Sequence, residues 1–220
     1  MTRLFLACAA LAAVGLLPAP ASAQTVDEIL AKHYAARGGY DKIKAIQTLK
    51  VTRTVVTPFQ KVNVVIFRKR PQLYRVEQAP AGQPMVARGI NAEAAWDTAA
   101  GGKIITRAEA LAAEGRDIDA DFDGLLVDWK DKGHTVVLEG TEKVGGADAY
   151  KLKVTTKSGA VRTIYLDAKT FLDKRHVGKM TLPTPPGAPP RVLDVSLDFS
   201  DWREVNGVKF AFAIDEDRTA

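Results

Sequence analysis

Cysteine is almost missing from this sequence. Cys8 is the single thiol in 220 residues, and it lies in the N-terminal stretch "MTRLFLACAALAAVGLLPAPASAQ". That stretch reads as a secretory signal peptide. Arg3 precedes a short apolar run, Pro18 and Pro20 end it, and Ala21-Ser22-Ala23 offers small residues for cleavage between Ala23 and Gln24. The run is too short to span a bilayer, and too few apolar residues precede Cys8 for an acylated cysteine. The expected organisation is a signal peptide over 1–23 and one domain over 24–220. That domain has no cysteine, which excludes disulfide staples and thiol chemistry from it. A cysteine-free chain sent to an oxidising compartment suits a bacterial periplasm.

Further absences narrow the function. After residue 23 no apolar run is long enough to cross a membrane as a helix. The formal charge is +5 and is not concentrated, which argues against a nucleic-acid partner. The densest basic run, "FRKR" at Phe67–Arg70, reads as a solvated strand end, with peripheral contact to anionic lipid headgroups as the alternative. The three histidines, His33, His134 and His176, fall in separate segments and form no zinc spacing. His33 reads as a half-buried helix residue, and His134 and His176 as exposed strand ends. No nucleophile elbow, P-loop or Rossmann glycine pattern occurs. We expect no catalysis, no metal and no cofactor.

What is present is mostly strand. Thr25-Val-Asp-Glu28 is a capping box opening a helix, which Gly38-Gly39 ends, and a shorter helix follows over Asp41–Ile46. From Thr48 the apolar period becomes two, with turns at Thr57-Pro58, Asn91, Gly101-Gly102, Gly145-Gly146, Ser158-Gly159 and Asn206-Gly207. Two helices interrupt the strands. Thr106-Arg-Ala-Glu109 is a second capping box, expected to open a helix that stops near Gly115. "LPTPPGAPP", from Leu182 to Pro190, reads as a stiff extended loop. Helices do not alternate with strands, so a parallel sheet is disfavoured. The expected fold is mainly β with a few helices (α+β): an antiparallel meander of about ten strands curled into a barrel.

The second interruption, "DIDADFDG", starts like a calcium loop. Asp119, Asp121, Asp123 and Gly124 match, but Lys130 stands where the metal needs a bidentate carboxylate. The alternative is an amphipathic helix with Asp119 and Asp121 at its start, Gly133 past its end, and Phe122, Leu125, Leu126 and Trp129 as one apolar stripe. We prefer the helix and expect no calcium site.

Alternation leaves one greasy sheet face. Val62, Val64 and Ile66 share a side; so do Tyr150, Leu152 and Val154. Leu193, Val195, Leu197 and Phe199 repeat the pattern, as do Val208, Phe210, Phe212 and Ile214. Trp96, in "EAAWDT", is grouped with these residues as cavity lining. The face is either an ordinary filled core or the floor of a lipid-holding concavity with the central helix as lid.

Four segments carry a family resemblance: "VDEILAKHYAARGGYDKIKAIQTLKVT", "ADFDGLLVDWKDKGHTVVLEGTEKVGGADAYKLKVT", "VRTIYLDAKTFLDKR" and "FSDWREVNGVKFAF". They resemble the LolA/LolB-like superfamily of periplasmic lipoprotein carriers, in its outer-membrane lipoprotein-sorting branch. The resemblance implies an unclosed antiparallel barrel with helices covering its concave face. It further implies a monomeric carrier of lipid or lipoprotein acyl chains, without cofactor or catalysis, which meets transport proteins of the inner or outer membrane. A periplasmic protein-binding module with a filled core remains the alternative, and an enzyme at the barrel mouth a more distant one.

Overall fold

The computed structural model describes residues 24–80, 82, 84–98, 102–182 and 191–219. The expected signal peptide over 1–23, with Ala23 of its expected cleavage bond, and the proline-rich stretch after Leu182 lie outside the described residues. Helix α1 spans Val26–Ala36. Its capping box forms as expected: the Thr25 hydroxyl accepts from the Glu28 N–H at 3.3 Å, and the Glu28 carboxylate accepts from the Thr25 N–H at 2.8 Å. Helix α2 follows over Tyr40–Ala45.

Strands β1 (Thr48–Val56), β2 (Lys61–Lys69), β3 (Leu73–Pro80), β4 (Val86–Ile90), β5 (Ala95–Thr98) and β6 (Ile104–Thr106) form one antiparallel meander. Helix α3 spans Glu109–Ile118. A second meander contains β7 (Thr135–Val144), β8 (Ala147–Thr155), β9 (Val161–Asp167), β10 (Asp173–Leu182), β11 (Arg191–Val205) and β12 (Val208–Thr219). The two six-stranded sheets are the halves of an unclosed barrel. Within each sheet every strand pairs antiparallel with its sequence neighbour, and the long connection that holds α3 and the central segment separates the two sheets.

Both sheets turn the same kind of face inward, toward a common covering layer. Ile29 and Leu30 of α1 pack with Leu152, Val154, Ile164 and Leu166 of the second sheet. Ala112 of α3 packs with Ile90 and Ala95 of the first. Where α1 turns into α2, the backbone is locked to the β11–β12 hairpin: the Lys209 N–H donates to the Arg37 carbonyl at 2.8 Å. Gly38 permits this approach, since a Cβ there would stand 2.0 Å from the Gly207 oxygen.

Helix α3 departs from expectation at both ends. Ala108 is its N-cap and no side chain caps it, so the Thr106–Glu109 box is not made. It runs through Gly115 to Ile118. Gly115 serves close packing there, because a Cβ would come within 2.9 Å of Ile90 Cδ1.

The central segment over 119–133 is not the expected helix. It is a chain of turns, with Gly124 at φ 87°, Asp128 at φ 52° and Gly133 at φ 77°. Left-handed residues at 124 and 128 cannot continue a right-handed helix. The stripe therefore breaks up. Val127, which the helical pattern would leave off the stripe, is fully buried with Ile43 and Val208. Leu125, Leu126 and Trp129 join the core under α1, whereas Phe122 lies under the Arg70 guanidinium, 4.5 Å from its ring centroid.

Candidate functional site

The acids of "DIDADFDG" hold the covering layer in place. Asp123 receives both terminal nitrogens of Arg70, at 2.8 and 2.5 Å, and Lys44 Nζ at 3.1 Å. Lys44 also reaches Asp128 at 2.7 Å, and Tyr40 donates to Asp128 at 2.8 Å. Lys132 grips Asp121 at 2.6 and 2.8 Å. Burial works against the charge on Asp123, but the hydrogen bonds from Arg70 and Lys44 prevail and hold its carboxyl below the usual carboxylate range. Oxygens that a calcium ion would need are thus engaged by cations of α2, the β2–β3 turn and the segment itself.

A second polar group escapes sequence reasoning altogether. His33 of α1 is 1% exposed and donates Nδ1–H to the Phe171 carbonyl at 2.8 Å. Asp173 of β10 accepts from His176 Nε2 at 2.8 Å and lies 3.9 Å from His33 Nε2. The His176 ring also packs on Phe199, 4.6 Å between centroids. Burial pushes the His33 pKa down. His33 stands 140 positions before Asp173 in sequence, and only the seating of α1 against β10 unites them. His134 is likewise buried, not exposed, and accepts from the Lys157 N–H at 3.0 Å.

The expected lining residues divide into three sets. Leu125, Leu126, Trp129, Leu152 and Val154 meet in a filled core under α1, where Leu126 is 4% exposed. Val62, Val64 and Ile66 form a wall on the first sheet with Val51, Val55, Tyr74 and Val76. Val62, Val64, Ile66 and Val76 are buried, 1% to 8% exposed, and Tyr74 links the wall to the group that holds Ala112 and Ala120 of the covering layer. Leu193, Val195, Leu197, Phe210 and Phe212 continue the inner face across β11 and β12 by register. There the face opens: Phe212 is 54% exposed and Ile214 42%. Phe210 folds back onto the Ile43, Val127 and Val208 group.

Trp96 belongs to none of these. The register Phe67–Arg75–Gly89–Trp96 puts it on the outer face of the first sheet. Its indole lies across Gly89, where a Cβ would come within 2.4 Å of the ring, and under the Arg75 guanidinium at 5.5 Å. Its grouping with the lining was wrong in parity: a strand of four residues gives too little alternation to decide which side faces in.

No protein-family model matches the chain, and no curated protein matches it by sequence. Solved structures do match. A LolA superfamily protein from Nitrosomonas europaea superposes with a TM-score of 0.57 at 15% identity, covering 90% of this chain and 87% of that one. The fold is LolA-like. A protein from Vibrio parahaemolyticus, provisionally described as an outer membrane lipoprotein-sorting protein domain, matches at TM-score 0.51 and 10% identity. That match covers 88% of this chain and 86% of the other. Within the LolA-like fold the valine wall is buried, and the inner surface stays open on β12 around Phe212 and Ile214.

Proposed function

We propose that the chain is a periplasmic carrier that binds acyl chains of lipids or lipoproteins on the inner face of its unclosed barrel. The observation that carries this reading is the open inner face of β12. Phe212 is 54% exposed and Ile214 42%, on the side of the sheet that elsewhere forms the core. Apolar surface left open on an inner face is what an alkyl chain would cover, at roughly 25 cal/mol per Å² buried. The fold likeness to proteins described as LolA superfamily and lipoprotein-sorting supports the same reading.

On this proposal the signal peptide ends at Ala23, and residues 24–220 act as one monomeric carrier unit that performs no catalysis. It would exchange cargo with membrane transport proteins, or with the membrane surface itself. Native mass spectrometry of chain purified from membrane-containing cells tests the idea. Co-purifying acyl lipids, removed by organic extraction, are expected. A clean protein mass, together with no binding of a fluorescent acyl probe, would sink it.

A further inference from the structure

One end of the first sheet is apolar, open and free of acid. Phe59, in the β1–β2 turn, is 95% exposed, the most open large apolar side chain among the described residues. Val56, at the close of β1, is 66% exposed. The antiparallel register brings the starts of β4 and β6 to the same end, where Met85 and Ile104 are also exposed. No Asp or Glu occurs in 53–64, 78–88 or 98–106, the segments that build this end. Lys61 and Lys103 flank the apolar tips and are exposed. Acids return at the opposite end of the same sheet, with Glu93 in the β4–β5 turn and Asp123 on Arg70.

The β1–β2 turn also closes its own backbone donors. The Thr57 N–H donates to the Gln60 carbonyl at 2.9 Å. The Thr57 hydroxyl accepts from the Phe59 N–H at 3.4 Å and from the Gln60 N–H at 3.1 Å. Pro58 has no N–H to satisfy. No backbone N–H of the tip therefore depends on water, which lowers the cost of moving it into a medium of low polarity. A protein partner would need a pocket shaped to this convex tip. A lipid headgroup layer parts around an aromatic ring and needs no such pocket. Cations without neighbouring acids match an anionic surface.

We propose that this end of the first sheet docks on an anionic lipid bilayer, with Phe59 inserted among the headgroups and Lys61 and Lys103 lying against them. The proposal goes beyond the carrier reading and does not depend on it, because a chain with an empty inner face would dock equally.

Residues 24–220 hold no cysteine. In the exported chain, Gln60→Cys thus gives one labelling site beside Phe59, and Ala92→Cys gives one in the β4–β5 turn at the far end. An environment-sensitive fluorophore at 60 should shift to the blue with vesicles of equal parts phosphatidylcholine and phosphatidylglycerol, and the same label at 92 should not. In cosedimentation with these vesicles, Phe59→Ser should weaken binding about tenfold, whereas Phe59→Trp should keep it. Lys61→Gln should weaken it about fivefold and leave the weaker binding to phosphatidylcholine alone unchanged. Both side chains are exposed, so these variants should melt with the parent. Absence of binding to the anionic vesicles, binding that survives Phe59→Ser, or an equal blue shift at 92 overturns the proposal. Self-association abolished by Phe59→Ser, without vesicle binding, would assign the tip to a second copy of the chain and overturn it as well.

Discussion

Two apolar regions of this molecule look alike in sequence and differ in structure. Leu152 and Val154 of β8 alternate with lysines, and Phe212 and Ile214 of β12 alternate with Ala211, Ala213 and Asp215. The first pair is met from above by Ile29, Leu30 and Leu126. Phe212 and Ile214 are 54% and 42% exposed. Strands of period two therefore serve a closed core at β8 and an open surface at β12. What separates them is the cover, and the cover belongs to distant parts of the chain.

Substitutions can break this contrast. The largest effect is expected from Leu152→Ala, which opens a void in the filled core and should cost about 3 kcal/mol in denaturant unfolding. Probe binding by the fraction still folded should be unchanged. Equal losses at Leu152 and at Ile214 on truncation to Ala would mean that both regions are core.

Asp123→Asn cuts the joint between α2, the β2–β3 turn and the covering layer, and should cost about 2 kcal/mol. Its pH signature is specific. The Asp123 pKa is lowered in the fold, so its contribution is complete above about pH 4 and is lost as pH falls toward the lower folded value. The variant should lack that part of the acid destabilisation. Melts at a series of pH values between neutrality and strong acid would decide it.

Enlargement sharpens the contrast further. Val154→Phe overfills a closed core and should cost about 2 kcal/mol. Ile214→Phe, on the open face of β12, should cost less than about 1 kcal/mol and alter acyl-probe affinity measurably. The smallest effect on stability is expected at Phe212, on the open face of β12. Phe212→Ser should fall within about 0.5 kcal/mol of the parent while still reducing probe affinity measurably.

Local chemistry was the legible part of the sequence. The β11–β12 turn is an example: Asn206 and Gly207 both adopt positive φ, 51° and 79°, as a tight hairpin of this type demands. The α1 capping box and the meander order follow from rules of the same short range. Illegible were the features set by partners far along the chain. Nothing near Asp123 announces that Arg70 and Lys44 will claim it, and that claim turns the acidic stretch inward where periodicity favours a helix. His33, Asp173 and His176 carry no mutual spacing, because they meet across α1 and β10. Trp96 was misplaced because β5 is too short for parity to be read.

The contact between the α1–α2 turn and the β11–β12 hairpin has a kinetic consequence. The first helix of the described chain rests on strands that lie more than a hundred residues later, and its exit is fastened to the last turn. Each meander can zip up from neighbouring segments, but α1 must wait for nearly the whole chain. Such high contact order slows assembly into the millisecond-to-second range. During that interval the bare faces of both sheets are open to aggregation, so an early amphiphilic ligand or a holding chaperone would act on the folding route as well as on the finished protein.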